Sequence, residues 1–139
     1  MSLLELCFAI VVGALVVAGG ALSLGRFTDR VRVEAMAGTL LNAYRRTQSV
    51  ARAWGRPAEL VVSADSIVIR AVAASSATVV WREPGPATLG VAVSPAVHVA
   101  GFAPSGVATG SANVSHVLTR GAARRQVIVS RLGRVRVTP

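Results

Sequence analysis

This chain of 139 residues has no lysine, a single cysteine, six acidic residues and an aromatic content of only 4%. Each shortage excludes something. Cys7 alone cannot form an intrachain disulfide, and its place in an apolar run reads as that of a small buried hydrophobe. All fifteen basic side chains are arginine. A high genomic GC content produces that bias, so the missing lysine by itself implies no ligand. Arginine nevertheless stays charged when partly buried and can grip phosphate through two N–H groups. The two histidines, His98 and His116, fall in strand-like segments without metal-ligand spacing and read as structural or solvated. No nucleophile elbow, P-loop or dinucleotide fingerprint occurs. The expectation is a protein that is not an enzyme and holds neither cofactor nor metal.

Proline is missing before Pro57, so nothing forbids a helix from about Ser2 to Trp54. At about 1.5 Å per residue it would be a rod of roughly 80 Å. Its first part, residues 1–25, carries one ionisable side chain, Glu5, and Arg26 ends the run. That is long enough to cross a bilayer, since about 20 apolar residues span roughly 30 Å. A carboxylate in such a place costs roughly 2.5–3.5 kcal/mol, so Glu5 calls for a partner. The nearest candidate is an α-amino group four residues away, on this chain or on a neighbour. A signal peptide would begin with basic residues and have a shorter apolar core. A plain membrane anchor explains the length but not Glu5. Gly13, Gly19, Gly20 and Gly25 weaken this half by about 1 kcal/mol each relative to alanine. Gly19-Gly20 is its softest point, or alternatively a seam for close helix packing.

Beyond Arg26, residues 26–54 keep the helical period and become amphipathic. Val33, Ala37, Leu40, Tyr44, Thr47, Ala51 and Trp54 form one stripe, with Arg26, Arg30, Arg45 and Arg52 largely off it. Arg30 and Glu34 are spaced for a surface pair. Gly55-Arg56-Pro57 stops the helix, and residues 55–139 change to a period of two. Strands are expected at 59–63 and 66–70 around an Ala64-Asp65 turn, at 77–82, more weakly at 89–93 and 97–100, and at 113–119. A closing hairpin pairs 126–130 with 134–138 through Arg131-Leu132-Gly133. The expected fold class is α+β, a long N-terminal helix packed on a small antiparallel β domain.

Charge is uneven. Residues 1–83 hold nine arginines and all six acids, a net of +3, whereas residues 84–139 hold six arginines and no acid, a net of +6. In the last hairpin, strand alternation places Arg134 and Arg136 on one face, with Arg124, Arg125 and Arg131 near its ends and Arg120 just before it. Such a cluster can bind phosphates without reading sequence. A solvated strand face, or a face paired with a neighbour's acids, has the same pattern. The scarcity of aromatics argues against stacking onto single-stranded bases.

The N-terminal Ser2-Leu3-Leu4-Glu5-Leu6 behind Met1 resembles the mature start of type IV pilins and type II secretion pseudopilins. Leu41-Asn42-Ala43-Tyr44-Arg45-Arg46-Thr47-Gln48-Ser49-Val50-Ala51-Arg52 with Arg56-Pro57 resembles the helix-to-strand passage of the GspH/FimT group of minor pilins. Gly101-Phe102-Ala103-Pro104-Ser105-Gly106 resembles that group's aromatic-x-Pro-x-Gly loop, and Gly133-Arg134-Val135-Arg136 its GRxR ending. The resemblance implies a minor pilin or pseudopilin, because major pilins often carry a C-terminal disulfide.

It further implies that Glu5 pairs with a neighbouring N-terminus during filament assembly. Met1 stands where the family most often has an N-methylated phenylalanine. Met1 is either the first residue after a prepilin peptidase removes a basic leader ending in glycine, or an initiator. Expected partners are the membrane, other major and minor pilins or pseudopilins, and the inner-membrane assembly platform. The expected location is the bacterial inner membrane with a periplasmic C-terminal domain, then a pilus or pseudopilus. The positive-inside rule, applied to Arg26, Arg30 and Arg32, favours the opposite orientation. In FimT-like pilins the GRxR end is associated with DNA capture for natural transformation, a role that Arg134 and Arg136 would inherit by position.

Overall fold

A long helix, α1 (Leu3–Trp54), bears two different surfaces. The computed structural model describes residues 2–73, 76–110 and 114–139, apart from the side chains of residues 16–22. Ser2 caps the helix, its hydroxyl accepting from the Glu5 backbone N–H at 3.3 Å. Gly55 closes it in the left-handed conformation at φ 59°, while the Arg56 N–H reaches back to the Ala51 carbonyl at 3.3 Å. Only glycine takes up that conformation without strain, which is why the helix stops where the sequence places Gly55. The helix is continuous through residues 19 and 20, so the soft point expected there is not a break in the isolated subunit.

Every described side chain before Asp29 is exposed. Burial begins at Val33, and Ala37, Leu40, Tyr44, Thr47 and Ala51 follow as the helical period requires. Met36 and Ala43 join them, whereas Trp54, expected on the stripe, is half exposed in the last helical position. Cys7, expected to be buried, is exposed on the free half. Among the described residues no helix is long and apolar enough to cross a membrane. The side chains at 16–22, in the middle of the expected span, lie outside that description.

The packed half of α1 lies against two antiparallel sheets. One is ordered β3-β2-β1-β5-β6, with β1 Ala58–Ser63, β2 Ser66–Val72, β3 Ala77–Pro84, β5 Val97–Phe102 and β6 Ala108–Thr109. The other is ordered β4-β7-β8-β9, with β4 Ala92–Ser94, β7 Val114–Arg120, β8 Ala123–Val129 and β9 Val135–Thr138. Leu60, Ile67, Ile69 and Phe102 from the first sheet and Leu118 and Val127 from the second close one core over Leu40 and Tyr44. The Phe102 ring meets Tyr44 edge-on at 6.2 Å.

Several strand boundaries differ from expectation. The third strand continues through Glu83 and Pro84, because an edge strand tolerates a proline that donates no ladder bond. Residues 89–93 are not one strand. Pro86–Leu89 forms a short 3-10 turn, closed by Gly90 at φ 66°, and the strand begins only at Ala92. The strand at Val97 runs two residues beyond 100 and pairs along all of β1. The expected strand at 113–119 is seen from Val114, Asn113 lying outside the described residues. β8 starts at Ala123, three residues early, because Gly121-Ala122 makes a two-residue turn with Arg120 opposite Ala123.

Candidate assembly and anion-binding surfaces

The first candidate surface is the free half of α1. Leu3 is 82% and Phe8 71% exposed, and Leu4, Leu6, Ile10, Val11, Val12 and Leu15 are exposed with them. An apolar surface of this extent costs about 25 cal/mol per Å² while it faces water, so it demands a cover that the β domain does not supply. Glu5 is the one acid in the first turn of this rod and is exposed among the leucines. The helix N-terminus favours a carboxylate there. Met1, whose amino group is the other half of the expected pairing, lies outside the described residues.

The second is the arginine-rich face of the β4-β7-β8-β9 sheet. Its arginines do not act as one cluster. Val127 and Val129 face the helix, so alternation turns Arg125 the same way, and its Nε donates to Glu34 Oε2 at 2.7 Å. Glu34 therefore pairs across the fold with Arg125, not along the helix with Arg30. Arg120 Nε likewise donates to Asp29 Oδ1 at 2.7 Å, and its Nη1 to the Leu89 carbonyl at 2.6 Å. No acid near these arginines in sequence offsets them; two acids on the distant helix do. Arg125 thus leaves the set of free cations expected at this end of the chain.

Arg124, Arg131, Arg134 and Arg136 remain exposed. Arg134 precedes β9, and Arg136 lies opposite Ile128. Both border one hollow, with Ile128, Ser130 and Val135. The turn beside them is held from the helix, where Gln48 Nε2 donates to the Gly133 carbonyl at 2.5 Å. Within the turn, the Ser130 N–H donates to the Arg134 carbonyl at 2.8 Å. Arg134 and Arg136 are therefore brought together on one supported hairpin, with Arg131 at its turn. Arg124, at the other end of β8, is four residues along the strand from Ile128, roughly 13 Å away.

The structure also joins residues that sequence spacing kept apart. The Tyr44 hydroxyl and His116 Nε2 lie 2.6 Å apart in the core, and the His98 ring stands 5.3 Å from that of His116. Burial, then the neighbouring His98, push His116 down to about 4; burial lowers His98 as well and raises Tyr44. Strand alternation at Val127 could have signalled that Arg125 turns inward. Nothing in the sequence pairs a residue of β5 with one of β7. Among the described residues no three His, Cys, Asp or Glu side chains gather as a metal would need.

A long helix with a free apolar half and a packed amphipathic half, laid on a small antiparallel β domain, defines a pilin-like α+β fold. Two crystal structures of the type IV minor pilin FimU from Pseudomonas aeruginosa (strain PAO1) share it. In the first (space group P21) the TM-score is 0.64 at 17% identity, over 81% of this chain and 92% of that one. In the second (space group P65) it is 0.60 at 16% identity, over 76% and 92%. At such identities the likeness is one of fold. No family model matches the chain, and no curated protein matches it.

Proposed function

We propose that the chain is a structural subunit of the minor pilin or pseudopilin type, within the GspH/FimT group, and not an enzyme. Residues 1–25 are its membrane and filament-core segment, residues 26–54 the packed half of the same helix, and residues 55–139 the outward-facing β domain. The observation that carries this reading is the exposed apolar half of α1 with Glu5 as its one acid. In a bilayer, that surface is solvated by lipid before assembly; in a filament, by the same helices of neighbouring pilins. Glu5 then neutralises the amino terminus of an adjacent subunit, at Met1 or its N-methylated form. The inner membrane, prepilin peptidase, the assembly platform and other pilins are the partners this role requires. Isolating surface filaments by shearing, and secretion complexes by gentle extraction, tests it. The chain is expected in one of the two, and its absence from both while it resides in the membrane would refute a subunit role.

A second reading is favoured by one observation, the exposure of Arg131, Arg134 and Arg136 on a hairpin braced by Gln48. These arginines can take DNA phosphates, as the resemblance to FimT-like pilins implies for natural transformation. Arg124 is a more distant contributor, and Arg125 is occupied by Glu34. Titrating the chain with double-stranded DNA across a salt series tests that role.

A further inference from the structure

The ion pairs of Arg120 and Arg125 leave other arginines at the same end of the β domain uncompensated. Arg26, Arg30 and Arg124 are exposed, and their guanidinium groups take no part in the ion pairs or hydrogen bonds of the described side chains. They are not scattered. Arg26 and Arg30 stand one helical turn apart and, with Asp29 and the Ala122-Ala123 end of the β7–β8 hairpin, line a hollow of about 110 Å³. A hollow of about 210 Å³ shares Arg30, Ala122 and Ala123 and adds Arg124 together with Val33, Pro139 and the Glu34-paired Arg125. Asp29 is already engaged by Arg120, so it does not neutralise these three.

The hollow is held in place by the fold. The 2.7 Å bond between Arg120 and Asp29 pins the hairpin to the helix. The contact at the tip is so close that a Cβ on Gly121 would lie 2.5 Å from Asp29 Oδ2. Its position along the helix is the second observation. Arg26 is the first charge after the apolar run, and Leu24, Phe27 and Val31 are exposed beside the arginines. Exposed apolar side chains interleaved with cations just past an apolar segment are the pattern of a membrane–water interface. The hairpin tip meets the helix at Asp29, so it is the part of the β domain nearest that interface.

We propose that Arg26, Arg30 and Arg124 form a headgroup site for an anionic phospholipid, with the phosphodiester seated in the hollow between α1 and the β7–β8 tip. Guanidinium groups on two sides can each offer two N–H donors to phosphate oxygens, and the lipid's negative charge offsets the cluster. The site serves the subunit before assembly and rests on the reading that residues 1–25 lie in a bilayer. It also accounts for an orientation that the positive-inside rule disfavours, because headgroups of the outer leaflet would hold Arg26 and Arg30 on that side.

Native mass spectrometry of the detergent-solubilised full chain, offered equimolar phosphatidylglycerol and phosphatidylcholine, tests the proposal. The wild-type chain should retain the anionic lipid preferentially. Arg26→Gln, Arg30→Gln and Arg124→Gln together should cut that preference at least about fivefold, the factor one lost arginine near an anionic surface gives. Arg134→Gln with Arg136→Gln should leave it intact. No preference in the wild-type chain, or a preference the triple variant keeps, would overturn the site. Displacement by millimolar inorganic phosphate would identify a free-anion site and overturn the assignment to lipid. Flotation with pure phosphatidylcholine vesicles reads the anchor separately. A chain that fails to float refutes the bilayer reading and the headgroup site with it, whereas one that floats without preferring the anionic lipid refutes the site alone.

Discussion

The Tyr44 hydroxyl and His116 Nε2 stand 2.6 Å apart, a bond that ties the helix to the middle of β7 with both residues fully buried. Its consequence is a stability that depends on pH. Burial and the nearby His98 hold His116 at about 4 in the folded chain, below the ordinary value of 6.5. The unfolded chain therefore takes up the proton first. The contribution is fully present above pH 6.5 and is lost as pH falls toward 4, by up to about 3 kcal/mol for a shift of this size. His116→Gln keeps a hydrogen-bonding group at the site and should flatten the pH dependence of urea unfolding between pH 6.5 and 4.5. An unchanged slope would place the titration elsewhere.

The pair formed by Asp29 and Arg120 is about a quarter exposed on each side. Its coupling should therefore be modest, about 1 kcal/mol in a double-mutant cycle of Asp29→Ala and Arg120→Ala. Its larger effect should be local. Amide hydrogens at the β7–β8 tip should exchange faster in Asp29→Ala than in the wild-type chain, and an unchanged rate would show that the tip holds itself.

Two glycines should respond in opposite directions to the same substitution. Gly121 has φ 53° and faces Asp29, so Gly121→Ala should cost about 1–2 kcal/mol through left-handed strain and the clash. Gly38 lies in the helix, and beyond its chain neighbours and the local helix backbone an added Cβ would meet nothing within 4 Å, so Gly38→Ala should stabilise by roughly 0.5–1 kcal/mol. Thermal unfolding of the two variants distinguishes these signs directly.

If the last hairpin takes DNA, Arg134→Ala with Arg136→Ala should weaken binding to many sequences alike. The slope of log affinity against log salt should flatten by up to about two units, at about 0.9 per lost phosphate contact. Arg125→Ala should change it far less, since Glu34 already holds that side chain. Equal binding by wild type and the double variant would remove DNA from this hairpin.

The helix was legible in the sequence because its signals are local. The stripe from Val33 to Ala51 repeats at helical spacing, and Gly55-Arg56-Pro57 punctuates its end. The hairpin around Ala64-Asp65 and the one around residues 131–133 were legible for the same reason, alternating apolar residues flanking short turns. Residues 89–93 were not, since their apolar run gives no sign that Gly90 will adopt the left-handed conformation and delay the strand. The ion pairs of Asp29 with Arg120 and of Glu34 with Arg125 each join residues 91 positions apart, and the folded register alone brings them together. For that reason sequence counting overstated the free positive charge near residue 125.

The exposed apolar rod with one carboxylate is what the subunit reading depends on most. Glu5→Ala removes that carboxylate and leaves the rod's apolar surface unchanged. Wild type and variant, expressed in cells lacking the native chain, should partition equally into membranes, while only the wild type should be recovered in sheared filaments or extracted secretion complexes. Equal recovery of the variant would contradict the pairing of Glu5 with a neighbouring amino terminus.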